Sequence, residues 1–199
     1  RIKLAEQLEQ IKSHGVPNYF GPQRFGLDGS NIEQARRLLS HELPRIRRDE
    51  RSILLSTARS LLFNQVLHER VKQRNWDQLL AGEVINLDAT ERHFLESVDQ
   101  TLIKRAEQMD VHPTGPLWGS GESPAGGAVG AMERSVAEGL APWCAGLERF
   151  GLVQERRSLR MSVSELSWCW GERVLDLEFR LPAGSFATAL LRELVAAPS

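Results

Sequence analysis

Hydrophobic residues recur at helical spacing along much of this chain. Ile2, Leu4, Leu8 and Ile11 line one face of a helix predicted over residues 2–13, with Gly15 placed to end it. Ser30-Asn-Ile-Glu33 has the form of a capping box and predicts a helix from Ser30 to about Ser40. Pro44 interrupts. Ile53, Leu54, Ala58, Leu61, Leu62 and Val66 then predict a long helix from about Asp49 to Arg74. Its Arg51, Arg59 and Arg70 do not all fall on that face, so some of them must reach solvent or a partner. Further helices are predicted at about 99–109, about 129–140 and from Ala187 to about Ala196, the last with Ser185 able to cap it.

A two-residue alternation marks the end of the chain. Leu175, Leu177, Phe179 and Leu181 alternate with Asp176, Glu178 and Arg180, which predicts a half-buried strand within 174–181. Ser167-Trp-Cys-Trp-Gly171 reads as its neighbour across a turn at Gly171-Glu172. Residues 83–87 predict a short strand, whereas His112-Pro-Thr-Gly-Pro-Leu-Trp-Gly119 reads as a rigid loop. It runs into the glycine-rich stretch 119–130, read as a loop or mobile boundary. Helices thus dominate the middle, and the ends mix helix and strand. The expected fold class is α+β, without internal repeats.

Composition narrows the picture without naming a function. A chain of 199 residues with 41% hydrophobic and 26% charged residues can bury a real core as one large or two small domains. No apolar run approaches the ~20 residues that span a bilayer, and no secretory signal is visible, so a cytoplasmic protein without a membrane partner is expected. Cys144 and Cys169 suit reduced thiols, and five dispersed histidines lack paired metal-ligand spacing, so no metal is expected. A chain that opens on Arg1, directly into an amphipathic pattern, is expected to be a piece of a longer polypeptide.

Net charge is −1, which argues against an indiscriminate polyanion binder. The distribution is uneven. Basic residues outnumber acidic ones from Arg36 to Arg74, and Arg156, Arg157 and Arg160 form a second cluster. Such clusters can hold phosphates or can be solvated helix faces.

The densest chemistry lies in Gly15-Val-Pro-Asn-Tyr-Phe-Gly-Pro-Gln-Arg-Phe-Gly26. Prolines and glycines make this a shaped loop. Its flat rings and its amide and guanidinium donors are groups that recognise a nucleobase by stacking and by edge hydrogen bonds. They equally suit a loop that plugs a core.

Pro17-Asn-Tyr-Phe-Gly-Pro-Gln-Arg-Phe-Gly26, followed by Gly29-Ser-Asn31, resembles the signature of the tRNA pseudouridine synthase D family. Three more segments match in order: Ala58-Arg-Ser-Leu-Leu-Phe-Asn64, His112 to Gly119, and Leu181-Pro-Ala-Gly-Ser-Phe-Ala-Thr188 leading to Leu191-Arg-Glu-Leu194. The resemblance implies a cofactor-free RNA-modifying isomerase that converts uridine 13 of tRNA to pseudouridine. An aspartate attacks the nucleoside, the N-glycosidic bond breaks, and the base turns and rejoins through C5. The uridine must therefore leave the stack, and the freed base must be retained.

The resemblance assigns Asn18, Phe20 and Phe186 to the substrate pocket, with Phe20 as the ring that stacks on the base. Tyr19, Phe25 and the glycines shape the loop. Arg24, Arg45, Arg47, Arg48 and Arg51 are candidate contacts to RNA phosphates. The implied architecture is a partial catalytic domain with a mixed or antiparallel sheet, residues 1–43 and 161–199, interrupted by a mainly helical α/β insertion over 44–160. The family's nucleophilic Asp lies in a Gly/Lys-Asp context upstream of the Asn-Tyr-Phe loop, and none precedes Gly15 here. It is expected upstream of Arg1, with this chain inactive alone. The alternative reading is a non-catalytic RNA-binding module.

Overall fold

The computed structural model describes residues 2–43 and 46–195. Helix α1 (Ile2–His14) buries Leu8 and Ile11, while Ile2 stays exposed. Gly15 ends it at φ +71, its N–H bonded to the Ile11 carbonyl. A Cβ there would strike the Met161 carbonyl, so the residue serves both the left-handed turn and the close approach of the next strand.

That strand, β1 (Val16–Pro17), leads into the aromatic loop and a 3-10 turn, Pro22–Phe25. Helix α2 (Ser30–Leu39) and the long α3 (Arg48–Lys72) follow, within two residues of their predicted bounds. The expected capping box does not form. Asp28 and Gly29 are left-handed, at φ 52 and 75, so Ser30 is already helical and Gly29 is the cap. Glu33 pairs instead with Arg36 at 2.8 Å. On α3, Leu54, Ala58, Leu62 and Val66 are buried as expected, but Ile53 is exposed.

The middle of the chain is less helical than its pattern predicts. Strands β2 (Val84–Leu87), β3 (His93–Leu95), β4 (Val111–Leu117) and β5 (Glu155–Ser158) form an antiparallel sheet in the order β3-β2-β4-β5. The expected rigid loop at His112–Gly119 is therefore mostly strand. Its prolines are tolerated because β4 pairs with β2 through residues 111–113 and with β5 through 114–117. Each proline thus lies in register with one named strand only, and the Pro113 carbonyl still accepts from the Leu159 N–H. Helix α4 (Gln100–Glu107) is capped by Asp99, whose carboxylate accepts from the Leu102 N–H at 2.8 Å. The glycine-rich stretch is pinned, not loose, since the Gly126 N–H bonds to the Gly82 carbonyl at 2.9 Å. Helices α5 (Gly127–Gly139) and α6 (Ala141–Arg149) complete the middle, and α2, α3, α5 and α6 share one core.

Residues 155–161 are the spine between the two ends of the chain. After β5 comes β6 (Arg160–Met161), which pairs with β1. Between them, the Leu159 N–H bonds to Pro113 and its carbonyl accepts from the Asn18 N–H, both at 2.8 Å. The predicted hairpin follows as β7 (Ser164–Trp170) and β8 (Leu175–Arg180), then α7 (Ala187–Val195). Leu8, Ile11 and Val16 from one end and Met161, Leu166 and Leu190 from the other fill a common core. No helix among the described residues is long and apolar enough to cross a membrane.

Candidate nucleic-acid site

Four separated segments meet around Phe20. The ring packs edge-on against Phe63 of α3, with centroids 5.5 Å apart, and tilted against Phe186 at 5.8 Å. Asn64, next to Phe63, holds the Phe20 backbone at both ends. Its Oδ1 accepts from the Phe20 N–H at 2.9 Å, and its Nδ2 donates to the Phe20 carbonyl at 3.0 Å. One side chain thus replaces a strand partner, satisfying a loop backbone that burial would otherwise leave costly. Gly21 lets the loop approach the C-terminal segment, because a Cβ there would meet the Thr188 hydroxyl and Gln23.

Two guanidinium groups lie over the same ring. The Arg157 Cζ is 4.3 Å from the Phe20 centroid and the Arg24 Cζ is 5.4 Å away. Both distances are within cation–π range. Arg157 donates from Nη2 to Asn18 Oδ1 at 2.7 Å and to the Gly184 carbonyl at 3.2 Å. Arg24 donates from Nη1 to Ser56 at 2.9 Å. The Nε atoms of both are buried without a hydrogen-bond partner. Burial lowers the Arg157 pKa to about 10, and the charge of Arg24 adds to the effect.

Asn18 is buried, with its Nδ2 bonded to the Ser158 carbonyl at 2.9 Å and its Oδ1 taken by Arg157. The amide is oriented by the spine, and one Nδ2 hydrogen remains for another acceptor. Phe20 itself is only 9% exposed. Arg157 covers part of the ring, so a base held at Phe20 would lie beside that guanidinium. Tyr19 has a structural setting, with Arg192 over its ring at 5.8 Å and its phenol pushed up to about 12 by burial. A separate cleft of about 380 Å³, lined by His14, Pro17, Trp76, Asp77 and Glu193 among others, includes none of Asn18, Phe20 and Phe186.

The family model "tRNA pseudouridine synthase D (TruD)" matches residues 29–194. The chain belongs to the tRNA pseudouridine synthase D family. It is 49% identical over 198 residues to a tRNA pseudouridine synthase D of Nitrosococcus oceani, covering 98% of this chain and 55% of that protein. A relative of the same name from Azotobacter vinelandii is 45% identical over 197 residues, again with 98% of this chain but 56% of the relative covered. The chain thus spans about half the length of these curated relatives. A crystal structure from Methanosarcina mazei, described as a tRNA pseudouridine synthase D, matches 98% of this chain and 64% of its own at a TM-score of 0.64. At 16% identity it supports the α+β fold alone.

Within this TruD family chain, Asn18, Phe20, Phe186 and Arg24 come together in one aromatic and guanidinium cage. Arg47, Arg48 and Arg51 are exposed at the start of α3, and Arg45 lies outside the described residues. Several other basic residues turn inward. Arg70 pairs with Glu83 at 2.9 Å, both fully buried, and Arg59 with Glu155 at 3.1 Å. The cluster of Arg156, Arg157 and Arg160 is no single phosphate face. Arg156 pairs with Glu133 at 2.7 Å, and Arg160 bonds His112 Nδ1 at 2.9 Å and the Ala106 and Val111 carbonyls. Sequence reading missed Phe63, Asn64 and Arg157 as parts of the cage. Phe63 and Asn64 end the matched segment Ala58–Asn64, which was the available signal; Arg157 had none beyond its charge. Among the described residues, no group of three or more His, Cys, Asp or Glu is arranged to hold a metal ion.

Proposed function

We propose that this chain forms one wall of the uridine site of a tRNA pseudouridine synthase, acting on uridine 13 of tRNA in the cytoplasm. The carrying observation is the convergence of the matched segments 17–26, 58–64 and 181–188 on Phe20. Aromatic and guanidinium planes at one point suit an unstacked pyrimidine better than a duplex. In this reading Phe20 and Phe186 hold the base, and the remaining Asn18 N–H faces a uracil carbonyl or a carboxylate.

The nucleophilic Asp belongs to a segment upstream of Arg1, so this chain alone does no chemistry. Residues 1–43 and 161–199 belong to the catalytic domain and 44–160 to an insertion. The core shared by α1, β1, β6, β7, β8 and α7 favours this division. Helix α2 also packs on α3 and α6, so the junction near residue 43 lies beside a continuous helical core.

The assay is pseudouridine formation at position 13 of an unmodified tRNA transcript. It compares this chain with a form extended at its N-terminus to the length of its relatives. Only the extended form should act, and replacing its upstream Asp by Asn should abolish activity. Pseudouridine made by the 199-residue chain alone would overturn the placement of the nucleophile. An inactive extended form would overturn the enzymatic reading and leave an RNA-binding module, for which the exposed Arg47, Arg48 and Arg51 are the favouring observation.

A further inference from the structure

We infer that Arg24 and Arg157 form a two-guanidinium receptor for a phosphodiester group of the RNA strand whose base is held at Phe20. The inference rests on the reading above and assigns Arg157, which lies within the matched residues 29–194 but outside the short sequence motifs that carry the family resemblance.

Arg59, Arg70 and Arg156 each have a glutamate within ion-pair distance, at 3.1, 2.9 and 2.7 Å. Arg24 and Arg157 have no carboxylate within that distance among the described residues, although their groups flank one ring. Two like charges gathered away from water raise each other's energy, and the lowered Arg157 pKa expresses that cost. Each also keeps a buried Nε–H without an acceptor, as Arg59 does, but the charge of Arg59 is met by Glu155. An unmade hydrogen bond from a charged group is among the costlier features a fold can keep. An anion reached by both groups supplies acceptors to their free N–H donors and neutralises the repulsion.

A phosphodiester suits the position better than a free carboxylate. Both offer two oxygens to two separate donors, but a nucleotide stacked at Phe20 carries its own phosphodiester within a few ångströms of the ring. Asn18 and the Gly184 carbonyl fix Arg157 from one side, which leaves its Nε and Nη1 donors for the ligand. Ser56 does the same for Arg24, leaving Nε and Nη2.

Two measurements on this chain test the receptor. The first is affinity for unmodified tRNA as a function of potassium chloride concentration, for wild type, Arg157→Gln and Arg24→Gln. Each substitution should weaken binding about tenfold and reduce the steepness of the log–log salt dependence by about 0.7–0.9. Arg157→Lys should keep the salt slope. The second is thermal unfolding in potassium phosphate against potassium acetate at matched ionic strength. Phosphate stabilises most proteins somewhat, so the readable quantity is the part of its increment lost in the variants.

Unchanged salt slopes together with unchanged phosphate increments would overturn the receptor. An acetate increment that equals the phosphate one and is lost in the variants would overturn its phosphate identity. If wild type fails to bind tRNA while its phosphate increment still depends on Arg157, the anion site stands and the tRNA reading falls. If tRNA binds equally well to all three forms and the phosphate increment is also unchanged in the variants, the anion site falls and the tRNA reading stands. Should Arg157→Gln fail to fold, Arg24→Gln carries both measurements.

Discussion

Arg156 and Arg157 are adjacent on β5, and strand geometry sends them to opposite faces of the sheet. Arg156 meets Glu133 of α5 through two bonds of 2.9 and 2.7 Å and also bonds Thr114, so its charge is matched inside the fold. Arg157 meets an aromatic ring, an amide oxygen and a second arginine. The two side chains share a charge and a strand, Arg156 buried and Arg157 half-buried. They differ most in what faces them. A buried cation with its carboxylate is part of the scaffold, whereas one kept beside another cation has surroundings that folding alone does not favour.

The comparison breaks first where its scaffold half is strongest. Glu133→Gln leaves Arg156 buried without its counter-charge, and the expected loss of stability is about 3–5 kcal/mol. Denaturant titration monitored by far-ultraviolet circular dichroism measures it, with a change in midpoint and not in slope. Glu83→Gln, which strands Arg70, should behave alike. A loss below about 1 kcal/mol in either would show that these pairs do not anchor the sheet, and the contrast with Arg157 would lose its meaning.

The aromatic cage has its own anchor. Asn64→Ala removes both partners of the Phe20 backbone, and each buried group left unsatisfied costs about 1–3 kcal/mol. We expect a loss of about 2–3 kcal/mol together with faster amide exchange at Phe20. Asn64→Asp separates the two bonds, since the carboxylate still accepts from the Phe20 N–H but cannot donate to its carbonyl. An Asn64→Ala protein as stable as wild type would place the loop's support elsewhere.

Much of this was legible in the chain, and the limits have physical causes. Except for α6, which was not predicted, the helices followed from apolar spacing and end signals, and the β7–β8 hairpin from clean alternation. Both signals are periodic and local. Strand β4 was hidden because Pro113 and Pro116 argue against a central strand, and only their register with a single strand each makes room for them. Strand β5 was hidden because Glu-Arg-Arg-Ser has no apolar residue, its inward position being filled by a paired arginine. Strand β3, with only three residues after a five-residue connection, left no pattern long enough to read. At the site, the loop's rings and amides marked Asn18 and Phe20 in advance. Their partners Asn64 and Arg157 lie 44 and 139 residues away from them, and no local pattern reports such contacts.

A smaller effect tests the buried network beside the spine. Arg160 only donates, so His112 Nδ1 is the acceptor of that bond and Nε2 carries the proton shared with Asp88 at 2.7 Å. This bond, with help from the Ser162 hydroxyl, holds the Asp88 carboxyl below its ordinary pKa of 3.8. A depressed carboxyl pKa gives stability that is present above the ordinary value and is lost as pH falls through the lowered one. Unfolding free energy measured from pH 6 to 3 should therefore decline less steeply in Asp88→Asn than in wild type below about pH 4. Asp88 is one-third exposed, so the difference should stay under about 1 kcal/mol. Parallel curves would show that the contact does not persist in solution.

The smallest expected change in stability is the most informative about Arg157. Arg157→Gln removes a ring contact and weakens the hold on Asn18, which together are worth roughly 1–2 kcal/mol. It also removes a desolvated charge that Arg24 repels, and no carboxylate is left stranded in return. These contributions oppose each other, so the denaturation midpoint should lie close to that of wild type. The same substitution at Arg156 should lose several kcal/mol, because Glu133 would then be buried alone. Equal losses at the two positions would make Arg157 another structural cation. A loss at Arg156 alone would separate the charge that holds the sheet together from the charge held ready at Phe20.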